Sequence, residues 1–531
     1  MGPIYSLRVG REGCVMSVRP QVVFLGICSG DPTLIRHWAA AGHLPNLRRL
    51  LDRGWVGRQV SLPGVYVGAH WPSWISGCHP GKNRVHSWQQ LQPGSYRQYR
   101  CKAGDHAQRP PFWEALSAAG RRVCVLDIPH SRISRGLNGL QTVEWGAHDG
   151  AYGFRASSAT LAADIRERFG EHPVSGNSDA GCTPEQLVAF RDELIRGIRM
   201  KGELTRHYYQ QERWDFFAQA FTEAHCGGHL LWHLHDPEYR WDQAGDVLGV
   251  GDALRDVYAA IDEAIGGILD GLRQDAIVLL MANHGIGAKY NAQLLLDKML
   301  LALGHAAPRR PDRRADWRAI ADPPMTWSWR QLPEGLRKRL RPLRDVKRAL
   351  IDDRPPPPLL EPADSNVFSI VNNTAHGALR VNLIGREPAG KVAPGADYER
   401  LLDTLTEDFS GVVNVETGRP VVNAIYRCDE LYPGPERAHL PDLFLDWTND
   451  APVRAVASNR MPRVEGVYRY VRSGEHRPDG LYVIAGPGIG SGTDAPPVRC
   501  MDFAPTIARL LDVRLAGEID GRPIALHPAV A

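Results

Sequence analysis

The stretch Phe221–Asp236, FTEAHCGGHLLWHLHD, holds four histidines: His225, His229, His233 and His235. With 20 histidines in 531 residues, about 0.6 would fall in such a window by chance, so the clustering is informative. A single pair of histidines four apart is not, since roughly 0.75 such pairs are expected somewhere in the chain. Context decides. WDFFAQAFTEA, ending just before His225, is an apolar run that reads as a buried strand, and a helix-like pattern begins with His229 to His235. Ligand-type residues at a strand-to-helix turn lie at the carboxyl edge of an open α/β sheet, where such folds place their sites. His233 and His235, further along, read as helix-surface or packing residues.

Other apolar runs must position this stretch. They are VVFLGIC (22–28), RVCVLDIP (122–129), AIVLLMANHG (276–285) and LYVIAGPG (481–488), with helical patterns such as DALRDVYAAIDEAIGGILDGL between them. Buried strands alternating with helices predict an α/β protein, a mainly parallel sheet sandwiched by helices. Cys28, Asp127, His225, Asn283 and His284 would then share one sheet edge.

At 531 residues the chain is long for a single core. Residues 1–20 read as an irregular N-terminal segment, 21–303 as the first part of the α/β core with an insertion around 150–205, and 304–375 as an Arg/Pro-rich insertion. Residues 376–531 read as the second part of the core, resuming at ALRVNLIGREPAG. The basic part, 304–358, reads either as a lid or anionic-partner surface, or as a solvated insertion with a stiff polyproline end. Net charge +3 predicts no nucleic-acid partner. No apolar run approaches the ~18 to 20 residues of a membrane span, so no membrane partner is expected. Nine scattered cysteines with no CxxC argue against a disulfide framework and for a reducing, cytoplasmic compartment.

Several blocks occur in an order that resembles the alkaline phosphatase superfamily, in its type I phosphodiesterase/nucleotide pyrophosphatase-like branch. They are VVFLGICSGDPTLIRHWAAAGHLPNLRRLLDRG, AHWPSWISGCHPGK, EAHCGGHLLWHLHD, LLMANHGIG, RVNLIGREPAG, GEHRPDGLYVIAGPGI and MDFAPTIARLLDV with DGRPI. The resemblance implies two metal sites and a Thr or Ser nucleophile, and this chain departs from that pattern. Cys28 stands where a ligand Asp is usual, Val67 where the nucleophile is usual, and His225 and Asn283 where two further Asp are usual. His229, His284 and His476 match.

Sorted by those sites, His225, His229 and His476 form a three-imidazole set suited to zinc or another divalent transition metal, about one per chain. Cys28, Val67, Asn283 and His284 are what is left of the other site, with His284 as its remaining usual ligand, and should hold a second ion poorly. The expectation is a metal-dependent hydrolase or group-transfer enzyme acting on a phosphate ester or other electrophilic, anionic small molecule, with Cys28, Asn283 and His284 as catalytic candidates. The attacking group would be water activated by the metal, Cys28 as thiolate, the hydroxyl of a second substrate, or Tyr66. The alternative is a catalytically silent relative that serves as a binding or scaffold protein.

Overall fold

The computed structural model describes residues 20–101, 109–146, 153–174, 184–239, 250–309, 359–466 and 472–526. The N-terminal segment to residue 19 and the basic stretch 310–358 lie outside the described residues. In chain order the strands used below are β1 (Gln21–Ile27), β2 (Trp55–Val60), β3 (Val123–Leu126), β4 (Gly139–Val143), β5 (Arg155–Ala156), β6 (Phe216–Phe221), β7 (Ala276–Ala282) and β8 (Gly285–Ala288). They continue as β9 (Val367–Ser369), β10 (His376–Val381), β11 (Val422–Arg427), β12 (Leu443–Trp447), β13 (Gly474–Arg477), β14 (Gly480–Ala485) and β15 (Gly492–Arg499). The helices that matter are α1 (Pro32–Ala40), α2 (Tyr66–Ser76), α3 (Pro184–Gln211), α4 (Glu223–His235) and α5 (Ala253–Asp270).

Nine strands form one sheet in the order β15-β2-β14-β7-β1-β6-β3-β4-β5. The central strands β1, β6 and β7 are buried along their whole length. Apart from Gln21 and Gln219 their sequences are apolar, because both faces are covered. Alternate side chains of β1 divide between two cores: Val22 and Phe24 face one, Val23, Leu25 and Ile27 the other. The second core is capped by α3, α4 and α5 through Leu194, Ile198, Leu231, Val257 and Ile261; the first receives Ala69, Trp71 and Trp74 of α2. Each Leu, Ile or Val side chain among these contributes about 1.5 to 3 kcal/mol on burial.

Register brings the strand ends together. Ile27 lies beside both Phe221 and Ala282 in parallel ladders, so the chain leaves β1, β6 and β7 at one level, with Cys28, Thr222 and Asn283 next. β14 is antiparallel, with Leu481 beside Ala282. Its start, not its end, therefore lies at this edge, and His476 is delivered there just before the strand. A fully buried apolar run carries no mark of its direction, which is why the sequence pattern is silent on this point.

The block ALRVNLIGREPAG supplies β10, which lies in an antiparallel sheet of its own, β9-β10-β12-β11, and packs into the same core as Val22 and Phe24. β10 is buried throughout, and burial alone does not mark the sheet to which a strand belongs. The region around 150–205 supplies the helix Ala159–Arg168 and most of α3, and α3 packs in the same layer as α5. Among the described residues no helix is long and apolar enough to cross a membrane, and the seven described cysteines are free.

Candidate metal centre

β6 stops at Phe221 and α4 starts at Glu223, so His225 lies in the first turn of the helix and His229 one turn later. The helix thus begins before His225, earlier than its pattern suggests. Residues four apart share a helix face, and the two rings are 4.6 Å apart. His476 comes from β13, paired with Ile286 of the short antiparallel partner β8. Two glycines let this strand pair approach α4: a Cβ on Gly474 would lie 2.0 Å from the Gly228 carbonyl oxygen, and one on Gly228 2.6 Å from Ile286 Cδ1.

The approach brings His229 Nε2 to 3.1 Å from His476 Nε2, and the His225 and His476 rings to 5.0 Å. One ligand atom from each of the three buried histidines lies within 4.8 Å of the others. His229 Nδ1 is 2.8 Å from the Gly474 carbonyl oxygen. That oxygen can only accept, so Nδ1 carries the proton and Nε2 keeps its lone pair. Burial, then the positive charge of Arg472, pushes the His229 imidazole down to about 3, and it is neutral across the ordinary pH range. Two imidazoles bound at 2.0 to 2.1 Å to one tetrahedral ion would have their nitrogens about 3.3 Å apart. The donor set fits a divalent transition metal.

The residues of the second expected site are brought close but are otherwise engaged. Cys28 is buried, and its sulfur accepts from Trp71 Nε1 at 3.3 Å and Asn283 Nδ2 at 3.7 Å. Asn283 Oδ1 accepts the backbone N–H groups of Ser29 at 2.7 Å and His284 at 3.1 Å, which takes both lone pairs. Asn283 therefore acts as a staple between β1 and β7. Replacing it by Leu leaves two buried donors unpaired, and a loss of ~2 to 4 kcal/mol in denaturant unfolding is expected. The His284 ring stands 4.6 Å from His476 and 5.6 Å from Tyr66. Among the described residues the three histidines are the one group of three or more ligand side chains so disposed.

A pocket opens beside the cluster, lined among others by Cys28, Val67, Trp71, Trp88, His225 and His284. Gly68, His130 and Asn373 complete a lining that contains no carboxylate. Sequence reasoning missed His130, Trp88 and Asn373. His130 had a signal, since it follows Asp127 by three residues at a strand end already placed on this edge. Asp127 itself turns away, accepting the N–H groups of Trp145 and Gly146. His233 bonds Ser473 and His235 packs on Trp38, roles in packing rather than ligation.

The model of the family described as type I phosphodiesterase / nucleotide pyrophosphatase matches residues 22–322, more than half of the chain. The chain belongs to this family, within the alkaline phosphatase superfamily. The match that establishes this phosphodiesterase-family membership takes in Cys28, Val67, His225, His229 and His284 but ends before His476, whose place in the cluster rests on the fold. Phosphonoacetate hydrolase from Sinorhizobium meliloti 1021, in complex with phosphonoacetate, is similar at 11% identity with a TM-score of 0.50, over 93% of this chain and 96% of that one. Human ectonucleotide pyrophosphatase/phosphodiesterase 5 is similar at 9% identity with a TM-score of 0.48, over 94% and 97%. No curated protein matches the phosphodiesterase-family chain significantly.

Proposed function

We propose that the chain is a metal-dependent hydrolase or transferase of small anionic phosphorus esters, with one metal, zinc in the first instance, held by His225, His229 and His476. The convergence of three buried imidazoles from α4 and β13, with His229 already oriented by Gly474, carries this reading. A bound divalent ion would supply Lewis acidity and make water a nucleophile near neutral pH.

The protein's own part follows from the pocket. The first turn of α2 puts Val67 and Gly68 at its wall, and the leading N–H groups of a helix have no intrahelical acceptor, which suits an anion. Without a carboxylate in the lining, nothing there repels one. Trp71 and Trp88 narrow the cavity against bulk water, and His284 stands beside the bound group as a proton carrier. Val67 offers no hydroxyl, so attack falls to water or to the hydroxyl of a second substrate, with the buried Cys28 thiol as the competing nucleophile. We place the protein in the cytoplasm on its scattered, odd set of cysteines.

The test is turnover of phosphate monoesters, diesters and phosphonates, phosphonoacetate included, by zinc-, manganese- and cobalt-loaded protein, with and without prior chelation. Cys28→Ala should retain turnover within a few-fold; a covalent adduct in wild type with loss of turnover in this variant would instead make Cys28 the nucleophile. The absence of a hydroxyl at position 67 favours a second reading, a silent relative. That reading predicts binding of metal and anion with no turnover across the series.

A further inference from the structure

The proposed metal centre has an inner partner that its ligand motif does not contain. Ser29 directly follows Cys28 at the end of β1 and is completely buried. Its hydroxyl oxygen lies 3.2 Å from His225 Nδ1 and 3.3 Å from His476 Nδ1. Two ligand candidates that are 251 residues apart in sequence thus meet at one oxygen. The backbone of Ser29 has φ of 54°, the left-handed region that glycine enters freely and serine does not. It is fixed there from both sides: its N–H donates to Asn283 Oδ1 at 2.7 Å, and Tyr258 donates its hydroxyl to the Ser29 carbonyl oxygen at 3.2 Å. The Tyr258 oxygen in turn accepts the Asp31 N–H at 2.9 Å.

A purely structural turn would be served better by glycine here. Keeping a side chain in a strained, over-determined conformation points to a use for that side chain. We propose that Ser29 is the positioning residue of the metal centre, its oxygen accepting Nδ1–H from His225 and His476 so that both rings present Nε2 to the ion. A hydroxyl oxygen has two acceptor sites, enough for both rings. The arrangement completes what Gly474 does for His229: each imidazole then has its Nδ1 proton engaged by an oxygen, the outer arrangement by which metal-binding histidines are oriented. His476 fits this directly, since its Nε2 is the atom facing His229 Nε2. The inference rests on the metal reading of the three histidines.

Ser29→Gly and Ser29→Ala together make the test, because they share the loss of the hydroxyl and differ in backbone strain. Both leave the two buried Nδ1–H donors without their acceptor, but only glycine relieves the backbone, so metal-free Ser29→Gly should melt above metal-free Ser29→Ala. The zinc affinity of Ser29→Gly, measured by competition with a chromophoric chelator on the full chain, should fall 10- to 100-fold. The visible absorption of the cobalt-substituted protein should shift in intensity or position as the rings lose their alignment. Ser29→Ala should show the same loss of affinity at lower stability than Ser29→Gly. A Ser29→Gly protein that binds zinc as tightly as wild type with the same cobalt spectrum overturns the proposal and leaves the metal centre standing. A zinc affinity that follows stability across the two variants, lost in Ser29→Ala and largely kept in Ser29→Gly, would reduce Ser29 to a structural residue. Wild-type protein that takes up neither zinc nor cobalt removes the metal reading itself, and this role with it.

Discussion

His229→Ala should lose tight metal binding, with zinc affinity falling by more than ~100-fold, because it removes a ligand rather than one of the outer bonds worth 10- to 100-fold. The effect should exceed that of changing His225 alone. His229 lies between its partners, with ring centroids 4.6 Å from both His225 and His476, and its Nε2 faces the His476 Nε2 across 3.1 Å. Elemental analysis of protein purified without chelator should find about one transition-metal equivalent in wild type and a small fraction of that in His229→Ala. His233→Ala is the control, since His233 shares the helix and bonds Ser473; its metal content should be unchanged. Equal metal content in His229→Ala and wild type would mean that the three histidines are a hydrogen-bonded polar cluster.

What the sequence made legible follows from where periodicity and chemistry coincide. β1, β6 and β7 are nearly continuous apolar runs that end in polar residues, and the parallel ladders place Cys28, His225 and Asn283 at one edge as expected. The direction of β14 and the sheet to which β10 belongs left no trace, because burial on both faces marks neither direction nor sheet membership. Ser29 was missed because a serine at a strand end reads as a turn residue. Its meeting with His225 and His476 exists only once α4 and β13 are packed. Asn283 was legible as a departure from the family pattern but not as a staple, since both its acceptor contacts are to backbone N–H groups that carry no sequence signature.

Lys201 was illegible for a related reason: within PEQLVAFRDELIRGIRMKGELTRHYYQQ it reads as one of many charges on a solvated helix face, yet it is fully buried. Its ammonium lies 2.9 Å from Glu223 Oε1 and 2.7 Å from the Gly146 carbonyl oxygen, and His172 Nε2 reaches the same carboxylate at 3.2 Å. Glu223 opens α4 two residues before His225, so this buried network fixes the helix turn on which the metal centre begins. Lys201→Met leaves the carboxylate buried with its main counter-charge gone and should cost ~3 to 5 kcal/mol in denaturant unfolding. Adding Glu223→Gln should restore much of that loss, because the pair then no longer contains an isolated charge.

The same pair sets an acid limit. Burial alone would raise the Glu223 carboxyl, but the Lys201 charge and His172 hold it down at about 2 from an ordinary value of 4.5. A carboxyl depressed in the folded state stabilises it above the unfolded pKa, and that contribution drains away as pH falls from about 4.5 toward about 2. In Lys201→Met the opposing charge is absent and burial dominates, so the carboxyl pKa should rise and the variant should regain relative stability on acidification. The gap between wild type and Lys201→Met should therefore be widest near neutrality and close below pH 4.5. A gap that stayed constant down to pH 3 would show that the loss in Lys201→Met comes from packing of the lysine stem rather than from its charge on Glu223.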